Sequence, residues 1–120
     1  MQPRLTASLR VAALLRRMDM AGRGVYVVHR GDETAGALAL AVVRPGGTVE
    51  LWAEEYDLTA DARVWALQAT GTARDVDDAA ARRRRSDPDL WVIELELPEG
   101  EGVADLLGCQ AAKGGAAPGR

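Results

Sequence analysis

After Pro88 the chain alternates strictly, with Trp91, Ile93, Leu95 and Leu97 pointing one way and Val92, Glu94 and Glu96 the other. A period of two puts successive side chains on opposite faces of a strand, so this stretch predicts a half-buried strand with a wet acidic face. Burying each inward side chain is worth about 1.5–3 kcal/mol, which puts the strand in or near the centre of a sheet. Upstream, Thr72 is a residue type suited to a helix N-cap, and Asp75, Asp77 and Asp78 lie near the positive helix end. The arginines 82–85 lie near the negative end, and Ala73, Val76 and Ala80 recur at helical spacing. Pro88 disfavours helical geometry at Asp87, so the helix stops there and Asp87-Pro88-Asp89 turns the chain into the strand.

Earlier in the chain, Val11, Leu14, Leu15 and Met18 form an i, i+3, i+4, i+7 stripe. They predict a helix that starts at Thr6 or Ser8, reaches Ala21 and is closed by Gly22. The alternation of Leu5, Ala7, Leu9 and Val11 also allows its first turn to be extended. A strand follows over residues 24–30, and the polar, glycine-bounded run 31–36 reads as a hairpin loop. Residues 37–43 are continuously apolar, as in a strand covered on both faces. Pro45-Gly46-Gly47 is a turn, after which Val49, Leu51 and Ala53 alternate with Glu50, Trp52 and Glu54. Residues 63–69 are a further candidate strand, and Val103 to Leu107 suit one short helical turn. The order is helix, three or four strands in hairpin succession, helix, strand. It predicts an α+β domain over residues 1–110, an antiparallel sheet of four to five strands with two main helices on one face. Residues 111–120 are Gly, Ala and Pro without period and read as a disordered tail.

A chain of 120 residues is one domain by length and can bury a core without disulfides or metal. Its single cysteine, Cys109, excludes an internal disulfide framework and thiolate metal clusters. No run approaches the about 20 apolar residues of a membrane span, and the first residues carry no leader pattern. The expected location is therefore the cytoplasm, and no cofactor is implied. The formal charge of −3 makes nucleic acid an unlikely partner. Lys113 is the only lysine among many arginines, the bias of a GC-rich genome, and it lowers the weight of any arginine cluster.

Three sets of residues are candidates for chemistry. Arg16 and Arg17 with Arg82 and Arg85 could form an anion-binding patch, although each group also reads as a solvated helix end. Asp87, Asp89 and Glu94 supply oxygen ligands suited to a divalent cation, although the first two are turn residues and the third lies on a wet strand face. Trp52 shares a side with Glu50 and Glu54, which makes it a candidate interface residue. The helix, strands, helix, strand order is similar to the restriction-endonuclease-like core, but residues 48–55 carry no acid-lysine pair. His29 stands alone, so neither a zinc site nor a nucleophile–histidine pair with Ser8, Ser86 or Cys109 is marked. Arg30-Gly31-Asp32 reads as part of a turn.

Three stretches carry a family likeness: Ala13-Leu14-Leu15-Arg16-Arg17, residues 30–36, and above all Arg85-Ser86-Asp87-Pro88-Asp89-Leu90-Trp91-Val92-Ile93-Glu94. On them the chain resembles a small bacterial family of uncharacterised proteins, domain of unknown function 1491. The resemblance covers most of residues 5–107, implies one compact domain, and brings no activity, cofactor or substrate. The reading is therefore a non-enzymatic protein-interaction module with an unknown protein partner, or a homodimer, engaged through Trp52 or a sheet edge. The alternatives are an anion or nucleic-acid binder through the arginines and a metal-dependent hydrolase through the Asp/Glu set.

Overall fold

The structure is a computed structural model and describes residues 5–107 and 110–113. In chain order the elements are α1 (Ala7–Met20), β1 (Val25–His29), β2 (Leu38–Val43), β3 (Val49–Asp57), β4 (Ala62–Gly71), α2 (Ala73–Ser86), β5 (Trp91–Glu96), α3 (Ala104–Leu107) and β6 (Gln110–Lys113). The fold is α+β, with a mixed and mostly antiparallel sheet. Local signals set the ends of both long helices. The Thr6 hydroxyl accepts the Leu9 N–H at 3.3 Å and caps α1. Thr72 caps α2 in a reciprocal box with Asp75, each side chain accepting the other residue's backbone N–H. The helix stops at Asp87, immediately before Pro88.

The sheet order is β1-β5-β2-β3-β4-β6. Strands β2, β3 and β4 form the expected antiparallel meander, and residues 63–69 lie within β4. The first expected hairpin is different. Strand β5 inserts between β1 and β2, antiparallel to the first and parallel to the second, with Val27 opposite Ile93 and Leu40 opposite Ile93 on the other side. Residues 31–36 therefore form an arch over the start of β5 and not a hairpin loop. The physical reason is burial: β5 carries the most apolar row in the chain, and a central position buries it completely. The arch is fastened to the strand it crosses. Asp32 N–H donates to the Asp89 carbonyl at 3.0 Å, Trp91 N–H to the Ala37 carbonyl at 2.9 Å, and the Trp91 indole N–H to the Asp32 carbonyl at 2.8 Å.

Both faces of the sheet are covered, so the two long helices lie on opposite faces and not on one. Val11, Leu14 and Met18 of α1 pack with Leu38, Leu40, Val42, Trp52, Trp65, Trp91, Ile93 and Leu95. Val76 and Ala80 of α2 pack with Ala39, Ala41, Leu51, Ala53 and Val92. The continuous apolar run of β2 is the cause. It sends large side chains to the α1 face and alanines to the α2 face, and neither set can be left to water. Trp52 follows its face inward and is 4% exposed, so it is a core residue and not an exposed interface residue. Strand β6 pairs parallel with β4, so residues 111–113 belong to the sheet and not to a tail. Cys109 and residues 114–120 lie outside the described residues. Among the described residues no helix is long and apolar enough to cross a membrane.

A Cβ on Gly36 would lie 2.8 Å from the Asp32 carbonyl oxygen and 2.9 Å from Trp91 Cδ1, and closer still to the Asp89 carbonyl oxygen. Gly36→Ala is therefore expected to lower the unfolding free energy by about 2–3 kcal/mol in urea titration. Gly102→Ala, where a Cβ meets nothing within 4 Å, is expected to leave it unchanged or to raise it slightly.

Candidate functional site

Strands β3 and β4 are the longest in the sheet, and the end of their hairpin stands beside the N-terminus of α1. Between them is an open cleft of about 920 Å³. Leu5, Thr6, Ala7 and Arg10 line one side, Thr34 to Gly36 the arch, and Tyr56, Asp61, Ala62 and Arg63 the hairpin. The N–H groups of the helix end are already taken. Ala7 N–H donates to the Thr34 carbonyl at 3.0 Å and Ser8 N–H to the Glu33 carbonyl at 2.9 Å, which ties the arch to α1.

At this cleft α1 is pinned to the sheet by a buried carboxylate. Glu54 lies on the face of β3 that turns toward α1, and its side chain is 4% exposed. It is the one buried charged side chain among the described residues. Arg10 reaches it from the second turn of the helix, donating from both terminal nitrogens to both carboxylate oxygens, with Nη1 to Oε1 at 3.1 Å. The Leu38 backbone N–H donates to the same Oε1 at 3.0 Å. The carboxylate thus joins α1, β2 and β3 in one place. A charge so withdrawn from water is tolerable only with this degree of pairing.

Arg63 completes the group. It lies opposite Tyr56 in the β3–β4 register, one pair beyond Glu54 and Trp65 on the same face. Its Nη1 is 3.9 Å from Glu54 Oε2, and its side chain is 48% exposed against 13% for Arg10. The mouth is apolar as well as cationic: Leu5 is 64% exposed and Tyr56 53%, and the same hairpin presents Leu58 at 85%. Behind them Trp65 is fully buried, and its indole N–H has no hydrogen-bond partner among the described residues.

The residues singled out from the sequence lie elsewhere. Arg16 and Arg17 are on α1 and Arg82 and Arg85 on α2, across the sheet from each other, so they form no common patch. Arg17 donates to the Leu106 carbonyl at 3.1 Å. Asp87 ends α2 and accepts the Asp89 N–H at 3.2 Å, whereas Glu94 lies further along β5 and accepts the Tyr26 hydroxyl at 3.0 Å. Among the described residues no three His, Cys, Asp or Glu side chains gather as a metal site. The hydrogen bond from Tyr26 to Glu94, reinforced by the negative charges of Glu94 and Asp77, raises the Tyr26 phenol above its usual 10.0. In the exposed pair Arg23–Glu101, the hydrogen bond holds Glu101 below the usual carboxylate range and raises Arg23. Arg10, Glu54, Tyr56 and Arg63 were not marked in the sequence. The available signal was a glutamate in mid-strand on the same side as a tryptophan.

A family model described as protein of unknown function (DUF1491) matches residues 5–105. Among solved structures, the chain is similar to the crystal structure of a DUF1491 family protein from Caulobacter crescentus CB15. The two share 34% identity with a TM-score of 0.76, over 90% of this chain and 99% of that one. The NMR structure of a DUF1491 family protein from the same organism shares 33% identity with a TM-score of 0.76, over 93% and 100% of the two chains. Protein Atu0922 from A. tumefaciens shares 28% identity with a TM-score of 0.73, over 93% and 99%. No curated protein matches the chain significantly.

Glu54→Gln leaves Arg10 at a site built for a carboxylate, and is expected to cost about 3–5 kcal/mol in chemical denaturation. The double change Arg10→Met with Glu54→Leu is expected to recover most of that loss, because it removes both charges. For Tyr26, a spectrophotometric titration of Glu94→Gln is expected to return the phenol toward its ordinary value. Because the folded value is raised, this hydrogen bond contributes its full stability below pH 10 and loses it as pH climbs through the raised value.

Proposed function

The chain belongs to the DUF1491 family of proteins of unknown function, and on that footing we propose that it is a cytoplasmic, non-enzymatic protein-interaction module that receives its partner at the cleft. One observation carries the reading: Leu5 and Tyr56, each more than half exposed, face a single formed cleft, with Leu58 on the same hairpin. Single exposed apolar side chains are ordinary, but a group around one concavity marks an interaction surface. The chemistry of the lining supports binding over catalysis. Glu54 has both oxygens engaged, and no histidine is among the described residues that line the cleft.

The two routes to a partner expected from the sequence are weaker. Trp52 is buried, and the edge strand β1 has a register shift between Val27 and His29, a feature that interrupts regular pairing along an edge. The anion or nucleic-acid alternative loses its basis in a joint patch, since its arginines lie on opposite faces of the sheet. The partner received at the cleft is a protein chain.

The test compares the wild type with Leu5→Ser combined with Tyr56→Ser, both in sedimentation velocity and in recovery from nuclease-treated native lysate. The wild type is expected to form a dimer or to retain a stoichiometric protein. The variant is expected to do neither, with its thermal midpoint unchanged because both positions are exposed. Equal retention by the variant moves the interface away from the cleft, and retention abolished by nuclease revives the nucleic-acid reading.

A further inference from the structure

We infer that the cleft recognises the free C-terminal carboxylate of a partner chain ending in an aliphatic or aromatic residue. The inference rests on the reading of the cleft as a docking site and names what docks there. Its first support is the state of Arg63. Glu54 carries one negative charge and is already engaged by a two-pronged pair with Arg10 and by the Leu38 N–H, all at 3.1 Å or less. Arg63 stands 3.9 Å from Glu54 Oε2, an ion pair beyond hydrogen-bond reach, and its side chain is half exposed and lines the cleft. A planar guanidinium in that position accepts a carboxylate in the paired geometry that a lysine could not offer.

The second support is what surrounds that cation. Tyr56 is the cross-strand neighbour of Arg63, and Leu5, Ala7, Ala35 and Ala62 add apolar lining to the same cleft. A ligand that satisfies both must carry its carboxylate and an apolar group close together. The terminal residue of a chain does so, because both branch from one carbon. An aspartate or glutamate side chain offers the charge without the apolar group. Net charge narrows the choice further. Two arginines and one aspartate line the cleft, with Glu54 buried beneath and held closely by Arg10, so no strong field draws a polyanion and Arg63 is the cation that offers a local pairing. The volume, about 920 Å³, is at the upper end of ordinary binding pockets and has room for more than one residue.

The experiment is a titration of the nitrogen-15-labelled protein by NMR with a short peptide ending in leucine, as the free acid and as the C-terminal amide, and with N-acetyl-leucine. The free acid is expected to bind saturably, to shift the amide signals of residues 34–36 and 62–63, and to bind at least about tenfold more tightly than the amide peptide. Arg63→Gln is expected to erase that preference with an unchanged thermal midpoint, since Arg63 is half exposed. Equal binding of acid and amide overturns the inference, as does absence of saturation at about 10 mM. N-acetyl-leucine binding as tightly as the peptide acid overturns the assignment to a protein terminus in favour of a small carboxylate. Failure of the peptide while a partner is still retained at the cleft sinks this inference alone, whereas loss of cleft-dependent retention sinks the interaction reading itself.

Discussion

The structure depends on the insertion of β5 between β1 and β2. For that strand to enter, the chain leaving β1 must climb over it and come back down into β2, so the arch of residues 31–36 has to pass within contact distance of Asp89 and Trp91. Only a residue without a Cβ fits where Gly31 and Gly36 meet the Asp89 carbonyl. The arch then supplies carbonyls to the strand and to the helix: Asp32 accepts the Trp91 indole N–H, and Thr34 accepts the first amide of α1. Arg30 closes the group from outside, its guanidinium 5.1 Å from the Trp91 ring centre. Two stretches that look unrelated in the sequence, residues 30–36 and 85–94, are thus the two halves of one crossing.

That crossing also explains which parts of the fold were legible. The strand after Pro88 and the capped helix before it were readable because their signals are local: period, cap and proline act within a few residues, whereas β4 was legible only as a candidate strand. The neighbour of β1 was not readable. Alternation says which side of a strand is dry but not which strand lies beside it, and a glycine-rich polar run of six residues serves a tight hairpin or an arch equally well. The placement of the helices could have been inferred. The continuous apolar run 37–43 implies cover on both faces, and two long helices are the available covers.

The burial of Trp52 and the pairing of Glu54 have one origin that alternation does not carry. Glutamates at alternate positions mark a wet face by type, and Glu50 and Glu54 made the side shared with Trp52 look exposed. In the folded chain each carboxylate meets an arginine, Glu50 with Arg44 at 3.1 Å and Glu54 with Arg10. The Trp52 indole N–H donates to Glu50 at 2.9 Å and is satisfied without solvent. Arg10 and Glu54 are 44 positions apart, so no spacing rule connects them. Whether a charged residue is paired is a tertiary fact, and only the fold supplies it.

The buried pair also explains why a cleft exists at that place. Arg10 brings the start of α1 over the sheet, the arch seals the helix amides, and both leave the end of the β3–β4 hairpin standing free beside them. A carboxylate can balance one guanidinium at close range. Because Glu54 is committed to Arg10, the second arginine to arrive pairs with it only at 3.9 Å. The interaction that stabilises the packing of α1 is therefore the same one that leaves Arg63 at longer range and half exposed at the mouth. One carboxylate thus sets the position of both arginines, and removing it would alter both.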